Sequence, residues 1–375
     1  MTGAPIVLAA GGTGGHLFPA EALARELLAR GRAVVLVTDR RAAAFKVEGV
    51  PVEHVRAATV LPGLAGKART AIELGFGALQ ALRILRRLRP AAVVGFGGYP
   101  SLPTAWAAGR VGIPLVLHEQ NAVLGRANRI LAGRALRICT GFEQVSGLAA
   151  ADRAKLVHTG NPVRPAIAAL RDGAYPRPAA DGPFSILVTG GSQGAAVFSD
   201  VVPAAVRLLP APLRARLTVV QQARAETLDA ARAAYAEAGV AAELSPFFAD
   251  MADRLAACQL MICRAGASTI AELAAVGRPA ILVPYPHAIA DEQTANAEQV
   301  VAVGGAELMP QSGFTAEALA ARLEAKMTLP DRLAAMAAAA RGFARTDAAV
   351  RLADEVAVAA GNAACGAATL REIAA

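Results

Sequence analysis

A chain of 375 residues with 55% hydrophobic content is long enough to bury two cores, and the lack of an unbroken apolar run of about 18 residues argues against a membrane-spanning helix. Strand-like sequence starts at Ile6 with no basic-then-apolar leader, and Cys139, Cys258, Cys263 and Cys365 form no C-x-x-C pair, so a secretory leader, a disulfide frame and a thiolate metal site are not expected. The net charge of +8 is concentrated in residues 1–160, where 20 Lys/Arg face 9 Asp/Glu, while aromatic residues make up only 4%. That combination lacks the stacking platform of a single-strand nucleic-acid binder; it suits an anionic lipid surface, a phosphorylated substrate, or an arginine-rich face that is merely solvated.

In chain order, the continuous apolar run Ile6–Ala10 predicts a buried parallel strand, and a helical pattern follows from Pro19 to Arg30. Between them stands Gly11-Gly12-Thr13-Gly14-Gly15-His16. Glycines there let backbone amides approach a ligand, and the helix N-terminus beyond favours an anion. As a dinucleotide fingerprint the loop fails, because Leu17 holds the position of the third glycine, although Asp39 ends the next strand, Ala33–Thr38.

The stretch Ile72–Arg89 predicts a helix with two apolar stripes. Leu74, Ala78, Ala81, Leu85 and Leu88 share one face; Ile72, Phe76 and Leu79 share the opposite one, continued by Arg83, Arg86 and Arg87. A domain core takes one face. The other is either an exposed apolar patch rimmed by arginine, as on an interfacial helix, or is buried as well, with Gly75 and Gly77 allowing close contacts. Next come strand Ala92–Phe96 with the glycine turn Phe96-Gly97-Gly98-Tyr99-Pro100-Ser101, strand Leu115–His118 with the polar quartet His118-Glu119-Gln120-Asn121, and strand Arg137–Thr140. The quartet reads either as a ligand edge or as a capped loop.

Thr159-Gly160-Asn161-Pro162-Val163-Arg164-Pro165 and the Pro/Gly-rich Gly173–Pro183 mark a boundary, because proline blocks continued helix or ladder. Residues 1–163 and 164–340 are then two domains, with a helix over about 341–360 packing back on the first. The second half repeats the plan with strands Ser185–Thr189, Leu217–Gln221, Leu260–Cys263 and Ala280–Pro284, and with a glycine loop, Gly190-Gly191-Ser192-Gln193-Gly194-Ala195, after its first strand. No Gly-Lys-Ser/Thr follows either glycine loop, which excludes a Walker-type NTPase. In Arg264–Glu272, Gly266 permits a turn and Ser268 or Thr269 caps a helix. Glu272 is then expected in the first turn, where a carboxylate is worth about 0.3–1 kcal/mol, and it is either a capping acid or an acceptor of ribose hydroxyls. Pro284–His287 and Asp291–Ala297 form a polar loop and helix start whose Gln293 and Asn296 suit sugar hydroxyls. Asp331–Ala360 predicts one long alanine-rich helix, and Gly361–Ala375 is expected to fray. Strands alternating with helices predict an α/β chain of two Rossmann-like domains with parallel sheets, ligands binding at the strands' carboxyl ends in the cleft between them.

Gly11–His16, Gly97-Gly98-Tyr99, His118–Asn121, Thr159–Arg164, Gly190–Ala195, Phe247–Met251, Arg264–Glu272 and Asp291–Ala297 together resemble, in order and spacing, the MurG glycosyltransferases of glycosyltransferase family 28, over about residues 5–355. The resemblance implies the GT-B fold, two Rossmann-like domains facing across a cleft, with the donor held mainly by the C-terminal domain and the acceptor by the N-terminal one. It implies inverting transfer of N-acetylglucosamine from UDP-N-acetylglucosamine to the C4 hydroxyl of the muramyl sugar of lipid I (undecaprenyl-pyrophosphoryl-N-acetylmuramyl-pentapeptide). The product is lipid II, for peptidoglycan synthesis, cell-wall biogenesis, cell shape and division, made at the cytoplasmic face of the bacterial inner membrane by a peripheral protein.

By the same resemblance the donor meets Thr13, Gly14, Gly15, Asn121 and Arg164; Ser192 holds its diphosphate; Phe248 meets the uracil through backbone groups; Ala267, Ser268, Thr269, Ile270 and Ala271 line it; Glu272 takes the ribose hydroxyls; and Gln293 reads the sugar. Tyr99, His118 and Glu119 fall on the acceptor side. His16 is the candidate general base, since an ordinary imidazole titrates near about 6.5 and is mostly neutral at pH 7. Ile72, Phe76, Leu79, Arg83, Arg86 and Arg87 would meet an anionic membrane. The chain departs from the family at Phe248, where an aliphatic residue is common, at Glu292, where a neutral polar residue is frequent, and after Ala360. It contains no Asp-x-Asp, so transfer without metal or other cofactor is expected, and no nucleic-acid partner. The alternatives are a related UDP-sugar:diacylglycerol glycosyltransferase and a UDP-sugar epimerase.

Overall fold

The computed structural model describes residues 3–11, 14–39, 45, 47–58, 63–191 and 194–373, with side chains at all of these except 289 and 362–373. The chain forms two compact units, Met1–Arg164 with Arg345–Ala375, and Pro165–Ala344.

The first unit is built on seven parallel strands: β1 (Ile6–Ala9), β2 (Val34–Thr38), β3 (Val52–His54), β4 (Ala92–Gly95), β5 (Leu115–Glu119), β6 (Arg137–Thr140) and β7 (Leu156–His158), in the order β3-β2-β1-β4-β5-β6-β7. Every residue of β1, β2, β4 and β5 is buried, as a parallel sheet covered on both faces requires. Alternation sorts them between two cores. Ile6 and Leu8 pack with Leu17, Leu23 and Leu27 of helix α1 (Gly14–Ala29) and with Leu352 and Val356 of the C-terminal helix Ala348–Ile373. Val7 and Ala9 pack with Ala81, Ile84 and Leu85 of α2 (Gly63–Leu88) and with Ala105 and Ala108 of α3 (Gly98–Arg110).

The second unit holds six parallel strands, β8 (Phe184–Thr189), β9 (Leu217–Gln222), β10 (Ala241–Ser245), β11 (Leu260–Cys263), β12 (Ala280–Leu282) and β13 (Ala306–Leu308), ordered β10-β9-β8-β11-β12-β13. Both orders are doubly wound and reverse direction beside the first strand, between β1 and β4 and between β8 and β11, where such sheets bind ligands.

Four strands escape the sequence pattern: β3, β7, β10 and β13. The predicted helix Asp331–Ala360 is two helices, Pro330–Phe343 in the second unit and Ala348–Ile373 in the first. The break spans residues 344–347, where Asp347 precedes the new helix and bonds Arg351 at 2.7 Å, a polar start that alanine periodicity does not reveal. The stretch after Ala360, expected to fray, continues the helix to Ile373. Cys139, Cys258 and Cys263 are buried and unpaired, and burial pushes the Cys258 thiol up to about 12; the Cys365 side chain lies outside the described residues.

Helix α2 buries one face only. Ala81, Ile84 and Leu85 are in the core, whereas Ile72, Phe76 and Leu79 are 59%, 51% and 55% exposed. Its glycines differ. A Cβ on Gly77 would lie 2.0 Å from the Arg56 carbonyl oxygen, while one on Gly75 would meet nothing within 4 Å. Gly77→Ala is therefore expected to lower the thermal midpoint through overpacking worth about 1–3 kcal/mol. Gly75→Ala should raise it, through a gain of about 0.5–1 kcal/mol in helix propensity. Thermal unfolding of the two variants checks the opposite signs.

Candidate active site

Because β1, β4, β5, β6 and β7 are adjacent and parallel, the loops leaving their carboxyl ends share one edge of the sheet. Helix α1 begins at Gly14, so half-buried His16 occupies its first turn, beside exposed Gly15. His16 Nδ1 lies 2.9 Å from Gln120 Oε1. Gln120 Nε2 lies 3.0 Å from His118 Nδ1 and 3.1 Å from the His118 carbonyl oxygen, and His118 Nε2 lies 3.2 Å from the Gly160 carbonyl oxygen. Glycine is required at both ends of this chain. Gly98 has φ +71, and a Cβ there would sit 3.1 Å from His16 Cδ2; Gly160 has φ +84, and its Cβ would meet Arg345 Cβ at 2.4 Å.

The polar quartet begins within the last two residues of β5, and its first three members turn inward. His118 and Glu119, expected on the acceptor side, are 0% and 2% exposed, and their side chains hold the edge loops. Glu119 Oε1 accepts the Asn121 main-chain N–H at 3.1 Å, and Oε2 accepts from Gly125 N at 2.8 Å and Asn128 Nδ2 at 2.9 Å. Burial pushes His118 down to about 4, against the pull of the Gly160 carbonyl and with help from neighbouring His16. Asn121 and Tyr99 are half-buried on the same edge, Tyr99 in the first turn of α3. The Arg164 guanidinium lies 5.2 Å from the Phe18 ring centroid. Both amide atoms of Asn161, in the loop after β7, are buried without a hydrogen-bond partner among the described residues.

In the second unit the loop after β8 doubles back tightly: a Cβ on Gly190 would lie 2.2 Å from Ala195 N, and Gly191 and Gly194 have φ +77 and +66. The helix Ala267–Val276 starts right after Gly266, whose carbonyl accepts from Ile270 N at 3.0 Å. The N–H groups of Ala267, Ser268 and Thr269 therefore precede the first intrahelical bond and are available to an anion. Ser268 Oγ is buried with no partner among the described residues. The side chains of Ala267 and Ile270 are buried, which leaves their backbone as the part able to line a ligand. Glu272, expected in the first turn, is the sixth residue of this helix and lies in the second turn, half-buried; with Gly266 rather than Ser268 or Thr269 at the N-cap, the helix starts earlier and Glu272 is no capping acid.

Gln293 Oε1 accepts from Ala265 N at 3.2 Å and Tyr285 N at 3.0 Å, so it joins two loops and leaves its NH2 to donate. Asn296 is fully buried, with Nδ2 on the Ala265 carbonyl at 3.1 Å. The Phe248 ring is buried under the Arg254 guanidinium, 4.0 Å from its centroid, while Phe247 is 74% exposed. Arg254 also bridges Glu243 and Asp250, whose carboxyls it holds below their usual range. Thr13 and Ser192 lie outside the described residues. Gln120, the hub of the first unit's site, carries no role in the sequence reading; its only signal there is membership of the His118–Asn121 quartet.

The lowered His118 value has a consequence for stability. The folded protein favours the neutral ring, so this contribution is intact above the ordinary histidine value of about 6.5 and is lost as pH falls toward 4. A nitrogen NMR titration should place the His118 midpoint near 4, and the urea midpoint should drop over that window. A His118 midpoint near 6.5 would contradict the burial argument.

The sequence signature of the glycosyltransferase family 28 N-terminal domain matches residues 6–140, and that of the C-terminal domain matches residues 185–352. The chain is 64% identical, over 96% of both chains, to the UDP-N-acetylglucosamine--N-acetylmuramyl-(pentapeptide) pyrophosphoryl-undecaprenol N-acetylglucosamine transferase of Rhodospirillum centenum. It is 54% identical to the protein of the same name from Paramagnetospirillum magneticum, over 94% of this chain and 95% of that one. The crystal structure of Acinetobacter baumannii MurG superposes with a TM-score of 0.77 at 31% identity, covering 94% of this chain and 99% of that one. The signatures and the near full-length identity together show that this chain belongs to glycosyltransferase family 28.

Proposed function

We propose that the protein transfers N-acetylglucosamine from UDP-N-acetylglucosamine to the C4 hydroxyl of the muramyl sugar of lipid I, with inversion, to form lipid II. The observation that carries this reading is the 64% identity over 96% of both chains to a relative named for that transfer. In the reaction His16 takes the hydroxyl proton as that oxygen bonds to the anomeric carbon, and the bond to UDP breaks with its electron pair leaving on the diphosphate. The α-linked donor becomes a β-linked product in one displacement.

The growing charge on UDP is met by the N–H groups at the start of helix Ala267–Val276 and by the Gly190–Ala195 loop, and Arg164 is assigned to the donor on resemblance alone. Gln293 reads the sugar through its amide, and Glu272 takes the ribose. Thr13 and Ser192 are assigned to the donor on resemblance alone. The transfer uses no metal and no resident cofactor. With a short-chain lipid I analogue, His16→Ala should lower kcat by about 10²-fold or more while leaving the calorimetric donor Kd within about threefold. The wild-type rate should be unchanged in EDTA. Near-normal turnover by His16→Ala would remove His16 as the base, and loss of activity in EDTA would overturn the metal-free scheme.

The reading extends to an anionic membrane surface at the cytoplasmic face of the inner membrane, where the lipid acceptor resides. No helix among the described residues is long and apolar enough to cross a membrane. The support for peripheral docking is α2: Ile72, Phe76 and Leu79 are exposed on the face continued by Arg83 and Arg86, with Arg87 beside them in a 2.6 Å ion pair with Glu53. Each cation near an anionic leaflet adds roughly 1 kcal/mol and each apolar side chain a comparable amount. Replacing Ile72, Phe76 and Leu79 together by Ser should weaken co-sedimentation with phosphatidylglycerol vesicles by about tenfold or more. Unchanged binding would rule out this face.

A further inference from the structure

The geometry points to Gln120 as a positioning residue of the transfer, which locks His16 into the tautomer that leaves its Nε2 lone pair open to the acceptor's proton. The inference rests on the reading of His16 as the base. It follows from where hydrogens have to be. A main-chain carbonyl oxygen only accepts hydrogen bonds, and two such oxygens pin the ends of the chain of contacts.

The Gly160 carbonyl oxygen is 3.2 Å from His118 Nε2, so that nitrogen carries the proton. The His118 ring is fully buried and held neutral, which leaves its Nδ1 as an acceptor. The His118 carbonyl oxygen is 3.1 Å from one terminal atom of the Gln120 amide, and that atom also faces His118 Nδ1 at 3.0 Å. Two acceptors require a donor, so this atom is the amide nitrogen and the other is oxygen. Oε1 in turn faces His16 Nδ1 at 2.9 Å and requires a donor from it. The His16 proton therefore sits on Nδ1, the form a free histidine side chain populates less.

Two features support a catalytic use. Nε2, the nitrogen left with a lone pair, lies on the ring edge beside Gly98, where a Cβ would come within 3.3 Å of it. A side chain at position 98 would crowd that edge. Gln120 is also a neutral acceptor: it fixes the ring's tautomer without the charge that would favour a protonated imidazole before substrate binds. When the C4 hydroxyl gives up its proton to Nε2, the Nδ1–H bond to Oε1 remains, and the amide dipole steadies the imidazolium. The proton travels no further, because His118 Nδ1 is already occupied by the Gln120 N–H.

Nitrogen-15 NMR of the histidine-labelled wild-type protein reads the tautomers directly. His16 should show protonated Nδ1 and bare Nε2, and His118 the opposite pattern in the same molecule. A His16 proton resident on Nε2 overturns the proposal without any variant having to fold. Kinetically, Gln120→Met should lower kcat by about 10²-fold with the donor KM within about threefold, and should add little in a His16→Ala background. An unchanged kcat, or a full additional loss in that background, would show that Gln120 does not act through His16. If His16→Ala alone keeps near-normal turnover, the base assignment fails and this role for Gln120 goes with it, while the spectrum still reports the tautomer separately.

Discussion

Parallel strands joined by crossovers return every loop that follows a strand to the same edge of the sheet, and everything in the first unit's site depends on that constraint. Residues far apart in the chain become neighbours because β1, β4, β5, β6 and β7 lie side by side. His16 and Gln120 are 104 positions apart and share a hydrogen bond, and His118 reaches Gly160 across the next two strands. Such packing leaves no room for Cβ atoms where loops touch, hence glycine at 98 and 160. In the second unit the same constraint sets the Gly190 loop and the start of helix Ala267–Val276 after the neighbouring strands β8 and β11.

The two regions of unit 1 that matter most treat polarity in opposite ways. At the sheet edge, the buried Glu119 carboxylate is satisfied by N–H groups of the loop and of Asn128, and the neutral His118 ring by Gly160 and Gln120, whereas the Asn161 amide finds no partner among the described residues. A half-satisfied cluster in that low-dielectric setting would cost more than an apolar one, so the network is rigid where it is complete. Along α2 the apolar groups lie outside and the arginines beside them remain hydrated. The first arrangement suits orientation of a reacting group; the second suits weak attachment to a surface.

Most of the fold is legible in the sequence because central parallel strands are buried on both faces and read as continuous apolar runs. The strands the pattern does not show, β3, β7, β10 and β13, are the four outer strands of the two sheets. Val52–His54 and Ala241–Ser245 contain no fully buried residue, so they carry no such run. The site is legible as a set of motifs, since glycine loops and the His118–Asn121 quartet fall at strand ends. Direction within a motif is not. Nothing in the order His-Glu-Gln-Asn tells that histidine points inward and that glutamine reaches a second imidazole, because their partners, Gly160 and His16, lie 42 and 104 positions away. Glu272 shows the same limit on a smaller scale: a helix start two or three residues earlier moves it from the first turn to the second.

The proposed transfer is a single displacement at the anomeric carbon of an α-linked sugar nucleotide. The most direct test is proton NMR of the disaccharide that the purified protein makes from UDP-N-acetylglucosamine and a short-chain lipid I analogue. The expected product carries a new β linkage to the muramyl C4 oxygen. An α linkage, attachment at another hydroxyl, or conversion of the donor with no acceptor consumed would contradict it.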